Sequence, residues 1–320
     1  MPLQFDLPRD ELDTYLGSSP KPHDFDAFWE RALEELDGVD PQVELVPSGF
    51  QADFAQCHHL WFTGVRGARV HAKLVRPHRV AEPAPAVVTF HGYSMHAGDW
   101  TEKLPYAAAG LVVASLDVRG QGGLSQDLGG QVGTTLNGHI VRGLEGPSDD
   151  MLFRHVFLDT VQLARIVMEM DEVDANRVGA TGASQGGALT IACAALEPRI
   201  RRAAPIYPFL SDYRRIWQMD KAVDAYAELQ TYFRRHDPRH EREDAIFEQL
   251  GYIDIQFLAE RIDAEVLMAV GLMDEICPPS TQFAAYNRIR SPKRLVEYPD
   301  FAHEHLPGHA DIVFEFLTAP

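Results

Sequence analysis

The chain has 320 residues, 45% of them hydrophobic and 24% charged, a composition typical of a globular protein with a sizeable core. Its net charge of −18 disfavours binding to nucleic acid or to anionic lipid, because both require a basic surface. No segment approaches the roughly 18 uninterrupted apolar residues of a membrane-spanning helix. Residues 1–6 show no basic region followed by an apolar run, and the three cysteines match neither a disulfide nor a zinc spacing. We therefore expect a cytoplasmic protein without a structural metal.

The predicted elements alternate between strands and helices after an N-terminal helical extension over about 1–40. In chain order we predict strands at 68–75, 86–90 and 111–117, a helix at 154–170, a strand at 177–181, a helix at 188–196, polar helices at 212–250, a strand at 265–270, a helix at 280–288, a strand at 294–298 and a helix at 312–317. This alternation predicts one α/β domain over 1–320. Its central sheet is mostly parallel with helices on both faces, and 212–250 form a helical cap insertion.

A candidate nucleophile lies between the strand at 177–181 and the Ala-rich helix at 188–196. Gly182-Ala183-Ser184-Gln185-Gly186 fits the pattern G-x-S-x-G. The strand–turn–helix context is that of the nucleophile elbow of the α/β-hydrolase fold, in which a sharp turn exposes the serine hydroxyl. A Gly-rich turn that only joins a strand to a helix is the alternative. We predict that Ser184 is the nucleophile.

The catalytic histidine of this fold follows the serine and the acid in the chain. His303 comes first after the strand at 294–298, where such a histidine belongs. His305 and His309 are its rivals, and the earlier His236 and His240 fall in the predicted cap. We predict His303 as the general base.

The acid is expected just past a core strand. Asp274 follows the strand at 265–270, and there its carboxylate would accept the Nδ1–H of His303 and stabilise the imidazolium. A turn aspartate bonded to its own backbone is the alternative interpretation, and Glu275 and Asp300 are alternative acids. We interpret Cys277, in the same loop, as a packing residue.

An oxyanion hole requires the backbone N–H after the nucleophile and a second N–H after an early strand. The first belongs to Gln185. The second is predicted at Tyr93, because His91-Gly92-Tyr93 follows the strand at 86–90. An ordinary turn that ends the strand is the alternative for His91-Gly92.

Three motifs in order are more specific: Arg119-Gly120-Gln121-Gly122, Gly182 to Gly187, and His303-Glu304. Together with the acid loop 271–281 and the segment 24–29, they make the chain resemble the cephalosporin-C deacetylase/acetyl xylan esterase family (carbohydrate esterase family 7). The resemblance covers nearly the whole chain. It implies a serine carboxylesterase of the α/β-hydrolase fold that removes acetyl groups from sugar hydroxyls and from cephalosporin-type esters.

The same resemblance implies a triad of Ser184, Asp274 and His303, an oxyanion hole at Tyr93 and Gln185, and loop-bracing roles for Arg119 and Gln121. It implies no cofactor or metal and a homo-hexamer. Residues 94–100 and 305–308 match the family less well, and we expect them near the acyl or leaving-group pocket. Trp217, Tyr226 and Tyr232 of the cap fit either an acyl pocket or a core. The alternative functions are a longer-chain esterase or peptidase on the same fold, and a non-catalytic scaffold.

Overall fold

The structure is a computed structural model that describes residues 5–78, 83–127 and 135–319. These residues form a nine-stranded sheet in the order β1-β2-β3-β5-β4-β6-β7-β8-β9. The strands are β1 (Glu44–Pro47), β2 (Ala55–Thr63), β3 (Arg69–Pro77), β4 (Ala84–Phe90), β5 (Val112–Leu116), β6 (Val173–Ala183), β7 (Arg202–Ile206), β8 (Glu265–Gly271) and β9 (Lys293–Tyr298). β1, β2, β3 and β5 pair antiparallel, and from β5 through β4 to β9 all pairs are parallel.

Helices cover both faces of the sheet because its central strands are apolar on both sides. Along β4, Ala86, Val88 and Phe90 belong to the larger core, whereas Val87 belongs to the smaller core on the opposite face. This division follows from the two-residue alternation of side chains along a strand. The predicted α/β-hydrolase architecture with a mostly parallel, doubly covered sheet is confirmed.

Eleven α-helices are seen in the described ranges. They are α1 (Arg9–Leu12), α2 (Phe25–Asp37), α3 (Leu104–Ala108), α4 (Leu152–Met168), α5 (Gln185–Leu196), α6 (Tyr213–Gln218), α7 (Ala227–His236), α8 (Glu243–Leu250), α9 (Ile255–Leu258), α10 (Pro279–Arg288) and α11 (His309–Thr318). The helices α6 to α9 are inserted between β7 and β8. No helix in the part of the chain described is long and apolar enough to cross a membrane.

One central strand, β7, was not among the predicted elements. It pairs with β6 on one side and β8 on the other. It is only five residues long and contains Pro205, which lacks the N–H that a central strand normally donates. The pattern therefore does not indicate a strand, although the strand brings Ile206 beside the Gly-rich turn after β6.

Candidate active site

Ser184 lies in the sharp turn between β6 and α5. Its φ of 58° is in the left-handed region, which non-glycine residues adopt only when the surroundings enforce it. Here the Ser184 N–H donates to the Ile206 carbonyl at 3.0 Å, and the Ser184 carbonyl accepts the N–H groups of Ala188 at 3.1 Å and Phe209 at 3.0 Å. The backbone is thus held from both sides with the side chain turned to the cavity.

The glycines of the motif are required by close backbone packing. A Cβ on Gly182 would lie 2.5 Å from the Phe90 carbonyl oxygen, and one on Gly186 would lie 2.1 Å from the same oxygen. Real Cβ atoms do not approach backbone oxygens so closely. The elbow can therefore pack against the end of β4 only without side chains at these two positions.

His303 lies between Ser184 and Asp274. Its Nε2 is 3.0 Å from the Ser184 Oγ, and its Nδ1 is 2.8 Å from the Asp274 Oδ2. His303 comes from the loop after β9 and Asp274 from the loop after β8, so the sheet edge at the carboxyl ends of the parallel strands brings the three together. The spacing allows proton transfer from serine to histidine.

The Asp274 carboxylate is fully buried and held by several donors. Its Oδ1 accepts the N–H groups of Ile276 at 2.9 Å and Cys277 at 2.8 Å, and the Gln282 side-chain amide lies 3.3 Å from Oδ2. These bonds satisfy the buried carboxyl group and fix the oxygen that faces His303. The local turn bonding expected of an ordinary turn aspartate is present together with the bond to the histidine.

The alternative candidates for the histidine and the acid do not lie beside Ser184. His305 is exposed, and His309 is buried with its ring edge-on to Tyr298 at 5.8 Å. Glu275 is exposed and pairs with Lys221, and Asp300 is exposed. Residues 305–308, which we expected near the pocket, do not line the cavity that contains Ser184.

Cys277 is fully buried beside the Ser184 side chain. Burial raises the pKa of its thiol well above the ordinary value, and the charge of Asp274 raises it further. Among the described residues, Asp274, Cys277 and His303 are the one group of His, Cys, Asp or Glu side chains close enough to share a metal ion, with ligand atoms within 4.8 Å of one another. However, both nitrogens of His303 are already hydrogen-bonded, and burial disfavours the thiolate form of Cys277 that metal binding or nucleophilic attack requires. This chemistry favours a serine nucleophile over a metal site or a thiol nucleophile.

The loop after β4 carries Tyr93 to the rim of the cavity that contains Ser184. Gln185 is the first residue of α5, so its N–H is among those with no intrahelical acceptor. The side chains of Arg119 and Gln121, for which we predicted bracing roles, are both buried. Gln121 accepts the N–H of Ser94 at 2.9 Å and donates to the Gln185 side chain at 2.8 Å, so it connects the Tyr93 loop to the start of α5.

Arg119 acts further from Ser184. Its guanidinium forms two hydrogen bonds of 2.6 Å with Asp159 of α4, and both side chains are almost completely buried. Bidentate geometry of this kind makes the ion pair both strong and directional. The pair therefore holds the loop after β5 against α4, at a position two residues before Gln121.

A cavity of about 870 Å³ opens at Ser184 and His303. One wall is formed by residues 95–99, within the segment that matched the resembled family less well. The Ala97 N–H of this wall donates to Asp117 at 2.6 Å, and His71 Nδ1 lies 2.6 Å from the same carboxylate. Burial raises the pKa of Asp117, but the hydrogen bonds from His71 and from backbone N–H groups outweigh it and bring the pKa to about 2. A charged, buried aspartate thus anchors this wall.

The cap aromatics pack into the larger core of the protein. Tyr226 packs against Phe209 with ring centroids 4.2 Å apart, and Trp217 packs against Phe233 at 4.7 Å. Neither these rings nor Tyr232 line the cavity, and the cap contributes Asp224 and Ala225 to it instead. Of the two interpretations of the aromatics, the structure supports the core.

Two residues near the site were not identified from the sequence. Tyr207, directly after β7, packs its ring on His303 at 4.7 Å. Glu228 of α7 accepts a hydrogen bond from the Tyr93 hydroxyl. A signal for Glu228 exists, because it falls on the same helix face as the apolar Leu229, Tyr232 and Phe233.

Comparison with known proteins decides the family. The family model described as acetyl xylan esterase (AXE1) matches residues 1–319. The chain belongs to the acetyl xylan esterase family. The resemblance predicted from the motifs is confirmed, and membership identifies the chain as an esterase.

Solved structures of acetyl xylan esterases agree. Acetyl xylan esterase 1 from Thermoanaerobacterium sp. JW/SL YS485 is 57% identical, with a TM-score of 0.95 and coverage of 98% of both chains. An acetyl xylan esterase from Paenibacillus sp. R4 is 33% identical, with a TM-score of 0.91 and coverage of 98% of this chain and 99% of that one. The acetyl esterase Axe7A of Xylanibacter ruminicola is 27% identical over 292 residues, 88% of this chain, and the match spans 63% of the length of that curated relative.

Proposed function

We propose that the chain hydrolyses acetyl esters through a Ser184–His303–Asp274 triad and an acyl-enzyme. The row of hydrogen bonds from Ser184 Oγ through His303 to the buried Asp274, 3.0 Å and 2.8 Å long, carries this proposal. Ser184 also lies at a strained elbow, which exposes its hydroxyl as serine acyl transfer requires. Family membership supports acetyl esters as the substrate class.

In the proposed reaction, His303 Nε2 takes the Ser184 proton as Oγ attacks the ester carbonyl carbon. The backbone N–H groups of Tyr93 and Gln185 stabilise the oxyanion that forms. His303 then gives its proton to the departing alcohol. Water then attacks the acyl carbon while His303 takes one of its protons, the bond between that carbon and Ser184 Oγ breaks, and Oγ regains the proton from His303 as acetic acid leaves. Asp274 holds the imidazole in the required tautomer and stabilises its cation, and no step needs a cofactor.

The proposed substrates are short acyl esters of sugar hydroxyls, with cephalosporin-type acetoxymethyl esters as a second group. The names of the relatives, acetyl xylan esterase and acetyl esterase, support the first group. A cavity of about 870 Å³ leaves room for a leaving alcohol as large as a sugar beside the acetyl group. A longer-chain esterase or a peptidase on the same fold is the alternative.

Substrate comparison tests the proposal. We expect kcat/KM on p-nitrophenyl acetate to exceed that on p-nitrophenyl octanoate by at least about tenfold, because one misplaced methylene already costs 1–3 kcal/mol in a fitted pocket. Acetate release from acetylated xylose and from cephalosporin C is expected as well, with no cleavage of a blocked peptide. Faster octanoate or peptide cleavage would support the alternative.

We also propose that the chain works as a cytoplasmic homo-hexamer. The family resemblance supports the hexamer, and the three buried, unpaired cysteines fit a reducing compartment. Light scattering coupled to gel filtration tests the assembly, with a mass about six times 35.8 kDa as the expected result. A monomeric mass would contradict it.

A further inference from the structure

The cap reaches the proposed oxyanion hole through one carboxylate. Glu228, in the first turn of α7, accepts a hydrogen bond from the Tyr93 hydroxyl through Oε1. Its Oε2 accepts the N–H of Val141 at 3.0 Å. Glu228 is only 8% exposed, so the carboxylate lies between the cap, the Tyr93 loop and the segment around Val141.

The Tyr93 side chain is held by more than this bond. Its hydroxyl oxygen also accepts the N–H of His139 at 3.2 Å. Its ring lies edge-on to His139, with centroids 5.0 Å apart, and edge-on to Phe209 at 5.6 Å. A ring fixed at its edges and at its hydroxyl has little rotational freedom, so the backbone of Tyr93 is fixed with it.

Burying this carboxylate is unfavourable for folding by itself. Burial raises the pKa of Glu228, and the hydrogen bonds from Tyr93 and from backbone N–H groups only partly oppose it. An apolar side chain would pack in a helical cap without this cost. The carboxylate therefore fits a positional role better than a stabilising one.

We infer that Glu228 is a positioning residue for the oxyanion hole. Through the Tyr93 phenol it holds the Tyr93 N–H toward the place where the ester oxygen becomes negative, and it couples the cap to the catalytic step. The inference rests on the proposed function. It adds a residue of the cap that does not itself line the cavity containing Ser184.

The chain offers a matched control for this bond. Tyr232, one turn further along α7, donates its hydroxyl to Glu145 in a second phenol–carboxylate pair. Neither partner lines the cavity, and the Glu145 side chain is half exposed. Removing this pair perturbs the same helix without touching the Tyr93 loop.

The experiment measures kcat and KM for p-nitrophenyl acetate and for its thionoacetate analogue in Y93F, E228A, the double variant, Y232F and E145A. Y93F keeps the ring and the backbone N–H, so it is informative even if E228A does not fold. The thiono substrate reports on the hole itself, because sulfur is a weak hydrogen-bond acceptor and gains little from the donors. Fluorophosphonate labelling of Ser184 is followed in the same samples.

We expect kcat on the acetate to fall about 10- to 100-fold in Y93F and E228A, below the 10²–10³-fold cost of deleting a donor outright. KM should stay within about threefold, and the double variant should be no worse than the poorer single variant, because the two residues form one unit. In Y93F and E228A, the ratio of kcat on the acetate to kcat on the thionoacetate should be smaller than in wild type. Y232F and E145A should stay within about twofold of wild type.

Folded Y93F with kcat within twofold of wild type would overturn the inference, as would a loss of kcat with an unchanged oxygen-to-sulfur preference. If either result is found while wild type still hydrolyses p-nitrophenyl acetate through Ser184, only the role of Glu228 is wrong. If wild type shows no Ser184-dependent turnover, the proposed function fails and the inference with it.

Discussion

The side chains of Gln121 and Gln185 exchange two hydrogen bonds in the interior of the protein. Gln121 Nε2 donates to Gln185 Oε1 at 2.8 Å, and Gln185 Nε2 donates back to Gln121 Oε1 at 3.1 Å. Because the same Gln121 oxygen accepts the Ser94 N–H, this pair fixes the spacing between the two backbone donors proposed for the oxyanion hole.

Replacing Gln121 with leucine should therefore weaken both stability and turnover. Q121L removes the acceptor of the Ser94 N–H and the donor to Gln185 Oε1, and a buried polar group that loses its partner costs about 1–3 kcal/mol. We expect kcat on p-nitrophenyl acetate to fall at least about tenfold and the melting temperature to decrease. Q249L is the control, since the Gln249 amide donates to the Gly146 carbonyl at the surface. Equal kcat in Q121L and Q249L would contradict this role.

Gly64 is required by the Arg119–Asp159 ion pair. A Cβ at Gly64 would lie 2.3 Å from Asp159 Oδ1 and 2.7 Å from Arg119 Nη2. The backbone of Gly64 is extended, so the clash alone decides the effect. We expect G64A to lower the free energy of unfolding by about 1–3 kcal/mol. Gly49 has open space around it, and G49A should not destabilise the protein. Chemical denaturation measures both, and equal stability would contradict the assignment.

Asp254 should make stability fall with rising pH. Burial and the neighbouring charge of Asp212 raise its pKa to about 7. Between the unfolded pKa of about 3.9 and this value the folded state binds more protons, so the free energy of unfolding decreases as the pH rises. Both Asp254 oxygens accept N–H groups, and the Gln256 side-chain amide donates to Oδ2 at 2.9 Å, but these bonds only partly oppose the rise in the pKa.

D254N should remove this dependence, because an asparagine amide does not titrate in this pH range. Relative to wild type, D254N is expected to gain stability between pH 5 and pH 8 by a few kcal/mol, since one pKa unit corresponds to about 1.4 kcal/mol. Urea midpoints at the two pH values measure it, with D263N at an exposed position as the control. Parallel pH profiles of D254N and wild type would show that Asp254 does not titrate in this range.

The three cysteines should be unreactive in the native protein. Cys57, Cys193 and Cys277 are completely buried, and burial raises the pKa of each thiol. Titration with a chromogenic disulfide is expected to detect no fast thiol in the native state and three after denaturation. One fast native thiol whose modification abolishes turnover would indicate that Cys277 takes part in the chemistry.

The sequence predicted which three side chains meet at the sheet edge better than it predicted the packing of the cap. Ser184 follows from a local pattern, because the elbow needs glycines at Gly182 and Gly186 whatever the rest of the chain does. His303 and Asp274 follow from chain order, since loops after parallel strands end at the same sheet edge. These are short-range or topological rules, so a single sequence carries them.

What the sequence did not reveal depends on long-range packing. Helical spacing puts Glu228 on the apolar face of α7, but only the folded cap shows that its carboxylate meets the Tyr93 hydroxyl. β7 contains Pro205, so its pairing pattern is hidden until its neighbours are known. The segment 95–99 forms a cavity wall because the Ala97 N–H binds the buried Asp117, and no local sequence pattern indicates this contact.

The most direct test of the central claim is the turnover of p-nitrophenyl acetate by wild type and S184A at equal concentration. The account predicts that kcat falls by at least about 10⁴-fold in S184A with the fold intact, because no other group in the site can replace the serine nucleophile. Turnover by folded S184A within tenfold of wild type would contradict the proposed triad.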